Sequence, residues 1–227
     1  VDTLLSDDLI RQADLAMHEV KLNGGNGAQA YNLDMYQRVQ QRVLLEQDLK
    51  EALLLNQFSI SFQPQMTIAT GVLYGFEALI RWRHPVRGMV PPDEFIPVLE
   101  QSRQIVPLGY WIIEQCMQQC LSLLHSGWHH FRIAINLSAE QFVDPELIPT
   151  LKRVLDKYEL QGSYFELELT ERTLVQSIET MLTIMSQIKA MGIHFAIDDF
   201  GTGYSSLSYL KKMPMDCIKI DKSFLSG

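Results

Sequence analysis

Glu77, Asn136, Glu168, Asp198, Asp199 and Asp221 occupy settings in which carboxylates and amides do chemistry. Each lies at or near the end of a short run of alternating apolar and polar residues, and Lys219 lies two residues before the last of them. Side chains alternate along a strand, so residues two apart share a face. Sorted this way, Phe76, Ala78, Ile80 and Trp82 oppose Glu77, Leu79 and Arg81. Ile133, Ile135 and Leu137 oppose Ala134 and Asn136, and Leu167 and Leu169 oppose Glu166 and Glu168. Phe195 and Ile197 oppose His194, Ala196 and Asp198, while Ile218 and Ile220 oppose Cys217, Lys219 and Asp221. Carboxylates gathered in one pocket repel one another, and some stay protonated unless cations are bound. Oxygen-only ligation by Asp, Glu and Asn suits hard divalent cations, Mg²⁺ or Mn²⁺, rather than zinc. Solvated loop acids beside a structural Lys–Asp pair would explain any one of these residues, but not the matching set.

The elements that must position them are readable from the same alternation. Strands are predicted at Ser59–Met66, Val72–Trp82, Phe131–Leu137, Phe165–Glu171, Ile193–Asp198 and Cys217–Asp221. The five residues Thr67–Gly71 between the first two are too few for a parallel crossover, so an antiparallel hairpin is expected there. The later strands are separated by amphipathic helices such as Leu174, Ile178, Met181, Leu182, Met185, Ile188, the βα pattern of a parallel sheet or barrel. In a barrel the acidic faces point inward and meet at the C-terminal rim, where barrel chemistry sits. Asp198 and Asp199 can both reach that rim only if the chain bends between them, and Gly201 and Gly203 supply the freedom. Glu166 lies a layer deeper and reads as a buried structural acid, His84 as a loop residue, Trp82 as packing, and His194 as an inward group behind the site.

The chain of 227 residues is 47% hydrophobic with net charge −8, a balance that argues against a nucleic-acid polymer as partner. It does not oppose a small phosphate ligand reached through cations. No apolar run is long enough to span a membrane. Cys116 and Cys120 fall four apart on a helical apolar face and read as core thiols, so with Cys217 alone no disulfide or zinc framework is expected, and a reducing cytoplasm is the default. Before the strands come two helical stretches. The first, Leu9 to Val20, stops at Asn23-Gly24-Gly25-Asn26-Gly27, and the second, from Asp34 to Leu55, reads as a connecting helix.

The motifs carry a family likeness. Glu77-Ala78-Leu79 followed by Ile80-Arg81-Trp82, then Asn136-Leu137-Ser138, Glu168-Leu169-Thr170-Glu171, Asp198-Asp199-Phe200-Gly201-Thr202-Gly203-Tyr204 and Lys219-Ile220-Asp221-Lys222-Ser223-Phe224 resemble the EAL family of cyclic di-GMP phosphodiesterases. The resemblance implies an α/β TIM-type (β/α)8-like barrel with an antiparallel first strand, which hydrolyses cyclic di-GMP to linear pGpG in bacterial signalling with two Mg²⁺ or Mn²⁺ ions. Glu77, Asn136, Glu168 and Asp198 match the ligands of one ion. Asp198 and Asp199 match those of the second, with Asp221 close by. Lys219 matches the lysine at the attacking water and Glu171 the glutamate that braces the Asp198–Ser206 loop. Gln63, Leu79 and Arg81 match substrate contacts. A non-catalytic cyclic di-GMP receptor is the alternative.

Ala13-Asp14-Leu15-Ala16-Met17 with Lys21, Gly24, Asn26 and Tyr31 is similar to the last helix and strand of a GGDEF domain, although the usual Gly-Arg-Asn is Gly24-Gly25-Asn26 here. The expected organisation is a GGDEF remnant over 1–32, a connecting helix over 33–57 and the EAL barrel over 58–227. Upstream GGDEF and sensor domains, and a homodimer, are the partners this implies. The family has two further βα units, the first carrying a glutamate of the second metal. About six strands are therefore expected here, within a longer polypeptide, with residues 1–227 alone inactive.

Overall fold

The computed structural model describes residues 6–22, 25–170, 173, 178–201 and 212–224. It divides into two compact units, Val1–Glu51 and Ala52–Gly227. In the first unit, α1 (Ser6–Leu22) ends at the expected Asn/Gly stop, and α2 (Leu33–Ala52) begins where Asn32 Oδ1 accepts the Met35 N–H at 2.9 Å. Residues 27–32 form no strand. A strand needs a neighbour to bond to, and none stands beside this one among the described residues.

α2 closes with Asn56 in the left-handed region (φ 54°), where Gln57 N–H reaches Ala52 O and Asn56 N–H reaches Leu53 O. That pair of bonds satisfies the orphan carbonyls at the helix end, so the predicted end near Leu55 is the capped turn itself.

The second unit is built on one sheet. β1 (Phe58–Met66) and β2 (Leu73–His84) form the expected antiparallel hairpin, in register from Phe58 opposite Trp82 to Gln63 opposite Glu77. A short strand not anticipated from the sequence, β3 (Gly88–Val90), folds back on β2. His84 makes that turn, its Nδ1 accepting the N–H groups of Val86 and Arg87 at 3.1 and 3.0 Å. Then follow α3 (Pro92–Gln101), α4 (Ile105–His125), β4 (Arg132–Leu137), α5 (Ala139–Phe142), α6 (Leu147–Tyr158), β5 (Phe165–Thr170), α7 (Ile178–Ala190), β6 (His194–Phe200) and β7 (Cys217–Ile220).

The sheet order is β1-β2-β4-β5-β6-β7, with every pair from β2 onward parallel. Each new strand adds on the same side, with no reversal of order. A doubly wound sheet reverses; a TIM-type barrel does not. Among the described residues β1 and β7 are the sheet's two edges.

The apolar strand faces pack under the helices as the alternation requires. Ile133, Ile135, Leu167, Leu169, Phe195 and Ile197 are all essentially inaccessible, and Ile113, Met117, Leu151, Met181 and Met185 cover them. Cys116 and Cys120 lie in this core as free thiols, and burial raises both, Cys120 to about 12. Trp82 is fully buried against Phe58 and Phe95, its Nε1 donating to Gln57 at 3.0 Å. Among the described residues no helix is long and apolar enough to cross a membrane.

Candidate metal centre

Strand register sets the site. Asn136 on β4 stands beside Glu168 on β5, and Thr170 on β5 beside Asp198 on β6. Ala134 and Ala196, one pleat earlier on the same face, are small, which leaves room for longer side chains to converge above them. Ligand oxygens of Glu77, Glu168 and Asp198 all lie within 4.8 Å of one another. Asn136 Nδ2 donates to Glu77 Oε1 at 3.1 Å.

Lys219 enters from β7. Its Nζ stands 3.0 Å from Glu77 Oε2, 2.7 Å from Glu168 Oε1 and 3.7 Å from Asp198 Oδ1. Burial would lower the Lys219 pKa, but the close negative charge of Glu168, then that of Asp198 and the bond to Glu77, outweigh it and hold the ammonium well above its ordinary value. Glu168 is the most enclosed of the acids, with no exposed side-chain surface. Burial pushes its carboxyl up to about 7, Lys219 pulls it down, and Glu77 and Asp198 push it up again. The Lys219 contact is close enough for an ion pair, yet among the described residues neither Glu168 oxygen has a partner in hydrogen-bonding geometry.

These features fit a cation. Three carboxylates against one ammonium leave two negative charges uncompensated, and a buried carboxylate short of hydrogen bonds is costly unless a positive group meets it. The donors are all oxygen, which suits a hard divalent ion. The structure thus brings Glu77, Asn136, Glu168, Asp198 and Lys219 together.

Asp199 and Asp221 stand beside this group. Burial raises the Asp199 carboxyl, and Asp198 and Asp221 raise it further. Asp221 Oδ1 accepts the Ser223 N–H at 2.9 Å. The chain bends sooner than Gly201: Asp199 itself is left-handed (φ 52°), and the register slips between Ile197 and Phe200. β6 therefore runs on past Asp198 as a bulge, because Phe200 recovers a partner in Ile220. Gly201 adds a second turn at φ 101°. Glu171 and Gly203 lie outside the described residues.

Beside the acids opens a cleft of about 740 Å³, lined by Leu79, Arg81, Asn136, Ser138, Asp198 and Asp199 among others. Arg81 Nη1 donates to Ile80 O at 2.9 Å. Gln63 is exposed and stands opposite Glu77 across the hairpin. A hollow of about 790 Å³ between α6 and α7, lined by Lys152, Asp156 and Met191, holds none of the predicted site residues.

Glu166 is buried one layer below and paired with Arg132 at 3.7 Å. His194 meets Asp216 (Nδ1–Oδ1 3.4 Å) at the lower end of the strands. Sequence reasoning missed Gln141. Ser138 Oγ accepts the Gln141 N–H, and Gln141 Oε1 accepts the Ser138 N–H at 2.7 Å, a reciprocal cap that fixes the chain just past Asn136. Its Nε2 donates to Ile105 O at 2.8 Å across Gly109, where a Cβ would come within 1.6 Å of it. The signal was present as Ser-x-x-Gln after a strand. Glu100 in the cleft was also missed; burial, then Glu140, raises its carboxyl.

The chain is similar to known proteins over most of its length. The model of the EAL domain matches residues 46–227. The chain is 37% identical over 219 residues to the bifunctional diguanylate cyclase/cyclic di-GMP phosphodiesterase MucR of Pseudomonas aeruginosa, covering 96% of this chain and 32% of that protein. It is 38% identical over 220 residues to the cyclic di-GMP phosphodiesterase PdeR of Escherichia coli, covering 97% of this chain and 33% of that protein. The solved PaMucR phosphodiesterase in complex with c-di-GMP superposes with TM-score 0.78 at 39% identity, over 81% of this chain and 74% of that one. The chain spans about a third of the length of these curated relatives. By its sequence motifs, its rim of converging acids and the extent of the match, the chain belongs to the EAL domain family.

Proposed function

We propose that this chain carries the catalytic domain of a cyclic di-GMP phosphodiesterase, which opens the cyclic dinucleotide to linear pGpG. The carrying observation is the convergence of Glu77, Glu168 and Asp198 within 4.8 Å of one another, with Lys219 among them. Glu77, Asn136, Glu168 and Asp198 would hold one divalent ion, Mg²⁺ or Mn²⁺, and Asp198, Asp199 and Asp221 would serve a second. Bound ions would supply charge stabilisation at the phosphoryl oxygens and acidify the attacking water. Lys219 has its own part: an ammonium held charged among the acids can donate to that water's oxygen as negative charge grows on it. Arg81, Gln63 and Leu79 would orient the dinucleotide in the adjoining cleft. Glu171 would brace the loop after Asp198.

The acids that these motifs supply support catalysis over a receptor that only binds, since binding alone needs no oxygen-ligand cluster at this depth. We read residues 1–32 as the end of a GGDEF domain and 33–57 as a connecting helix. The whole protein is then a cytoplasmic signalling protein with upstream GGDEF and sensor domains, in which a homodimer is expected. The test is incubation of the full-length protein with cyclic di-GMP and Mg²⁺ or Mn²⁺, with separation of products. Linear pGpG should form, and should vanish on chelation and in Glu77→Ala. Cyclic di-GMP bound tightly but never cleaved would favour the receptor.

A further inference from the structure

We propose that Phe224 is a positioning residue whose ring, laid against Gly201, holds the left-handed turn that presents Asp199 to the metal centre. This rests on the metal-centre reading of the rim. The turn needs holding. Asp199 has φ 52°, the left-handed region that brings a Cβ close to the following carbonyl oxygen. Such conformations persist only where their surroundings over-determine them. Between β6 and β7, Ile197 pairs with Ile218 and Phe200 with Ile220, so Asp198 and Asp199 together face Lys219 alone. The bulge thus aims two successive carboxylates along one strand.

Against its far side lies the ring of Phe224. A Cβ built on Gly201 would lie 2.4 Å from Phe224 Cζ and 2.5 Å from Cε2, so the ring fills the space a side chain would take. Phe224 is carried by the turn after β7, where Asp221 Oδ1 accepts the Ser223 N–H at 2.9 Å and Asp221 O accepts the Phe224 N–H at 3.1 Å. Asp199, Gly201, Phe224 and Asp221 form one mechanical unit, in which Asp221 sets the ring and the ring sets the turn.

The test uses the full-length protein. Phe224→Ala should weaken Mn²⁺ binding about tenfold or more, as loss of a group supporting a ligand does, and lower kcat with little change in KM for cyclic di-GMP. Hydrogen exchange at residues 199–201 should quicken in the cation-free protein. Phe224→Tyr keeps the ring and should restore all three. Gly201→Ala adds a cost from its φ of 101°, which is independent of the ring, and a clash that is not. Its effect on Mn²⁺ affinity should therefore be smaller in Phe224→Ala than in the parent. Wild-type affinity and exchange in Phe224→Ala would overturn the proposal, as would strict additivity of the two substitutions. Mn²⁺ binding and hydrolysis by the parent would in either case leave the metal centre standing. A parent that binds no Mn²⁺ would overturn both.

Discussion

Asp216, just before β7, and Lys219, inside it, sit in opposite electrostatic settings. Around Asp216 one carboxylate accepts from Lys189 Nζ at 2.7 and 2.8 Å and from the Phe195 N–H at 2.8 Å, with His194 Nδ1 3.4 Å away. Around Lys219 one ammonium meets three carboxylates, and Glu168 is left without a proper hydrogen bond. Burial works to raise the Asp216 carboxyl, yet Lys189 and the Phe195 N–H hold it below its ordinary value, while Glu168 is driven up to about 7. The lower carboxylate is met on both oxygens and ties α7 and β6 to the start of β7. The upper one is short of positive charge, a deficit that folding alone gives no reason to keep. The difference separates a clamp from an acidic cluster suited to a divalent cation.

The largest expected break in that contrast is at the rim. Glu77→Ala combined with Asn136→Ala should lower hydrolysis by about 10³-fold or more, while leaving the unfolding midpoint near that of the parent, because the ligands are directed at charge in the transition state. Full activity in this variant, or after exhaustive chelation, would remove the site from the account.

The pH response should be of opposite sign at the two ends. A carboxyl raised from 4.5 to about 7 on folding binds more protons folded than unfolded between those values. Stability of the cation-free protein should therefore fall as pH rises through that window, by on the order of 3 kcal/mol for Glu168. Glu168→Gln should flatten the fall, and Mn²⁺ should offset it, since deprotonated ligands bind metal better. The depressed Asp216 contributes stability above its unfolded pKa of 3.8 and loses it only as pH falls through its lower folded value. Thermal melts from pH 2 to 8, with and without chelator, would reveal either pattern.

Next in size is Lys219→Ala, which should lower kcat by about 10²-fold with a smaller change in nucleotide affinity. A raised KM alone would remove its part at the water. The smallest effect belongs to the clamp. Asp216→Ala should cost about 1–3 kcal/mol and shift the melting midpoint by several degrees, with kcat close to the parent's. Unchanged stability there would erase the contrast.

How much of this the sequence carried depends on the range of the forces involved. The six longer strands, the hairpin and the inward acids were legible because alternation and turn chemistry are local, and because an acid two residues from another on a strand must share its face. The bulge at Asp198–Phe200 was not, because it depends on Phe200 finding Ile220 across the sheet and on Asp199 accepting a left-handed conformation that the sequence pattern assigns to glycine. Gly201 and Gly203 were the natural candidates for the bend; Asp199 takes the first part of it. Lys219 was placed on the right face, but its reach to three acids follows from a long flexible side chain and strand tilt. Gln141, with its seat across Gly109, depends on a tertiary contact between α4 and the end of β4, of which only the capping half was written locally.

The account turns on the rim being a divalent-cation site. Calorimetric titration of Mn²⁺ into the chelator-stripped protein at pH 8, beside Glu168→Gln, tests that most directly. Binding should be saturable in the parent and lost in Glu168→Gln, while the variant melts no lower in the absence of metal. Equal Mn²⁺ binding by the two proteins, or none by a folded parent, would contradict it.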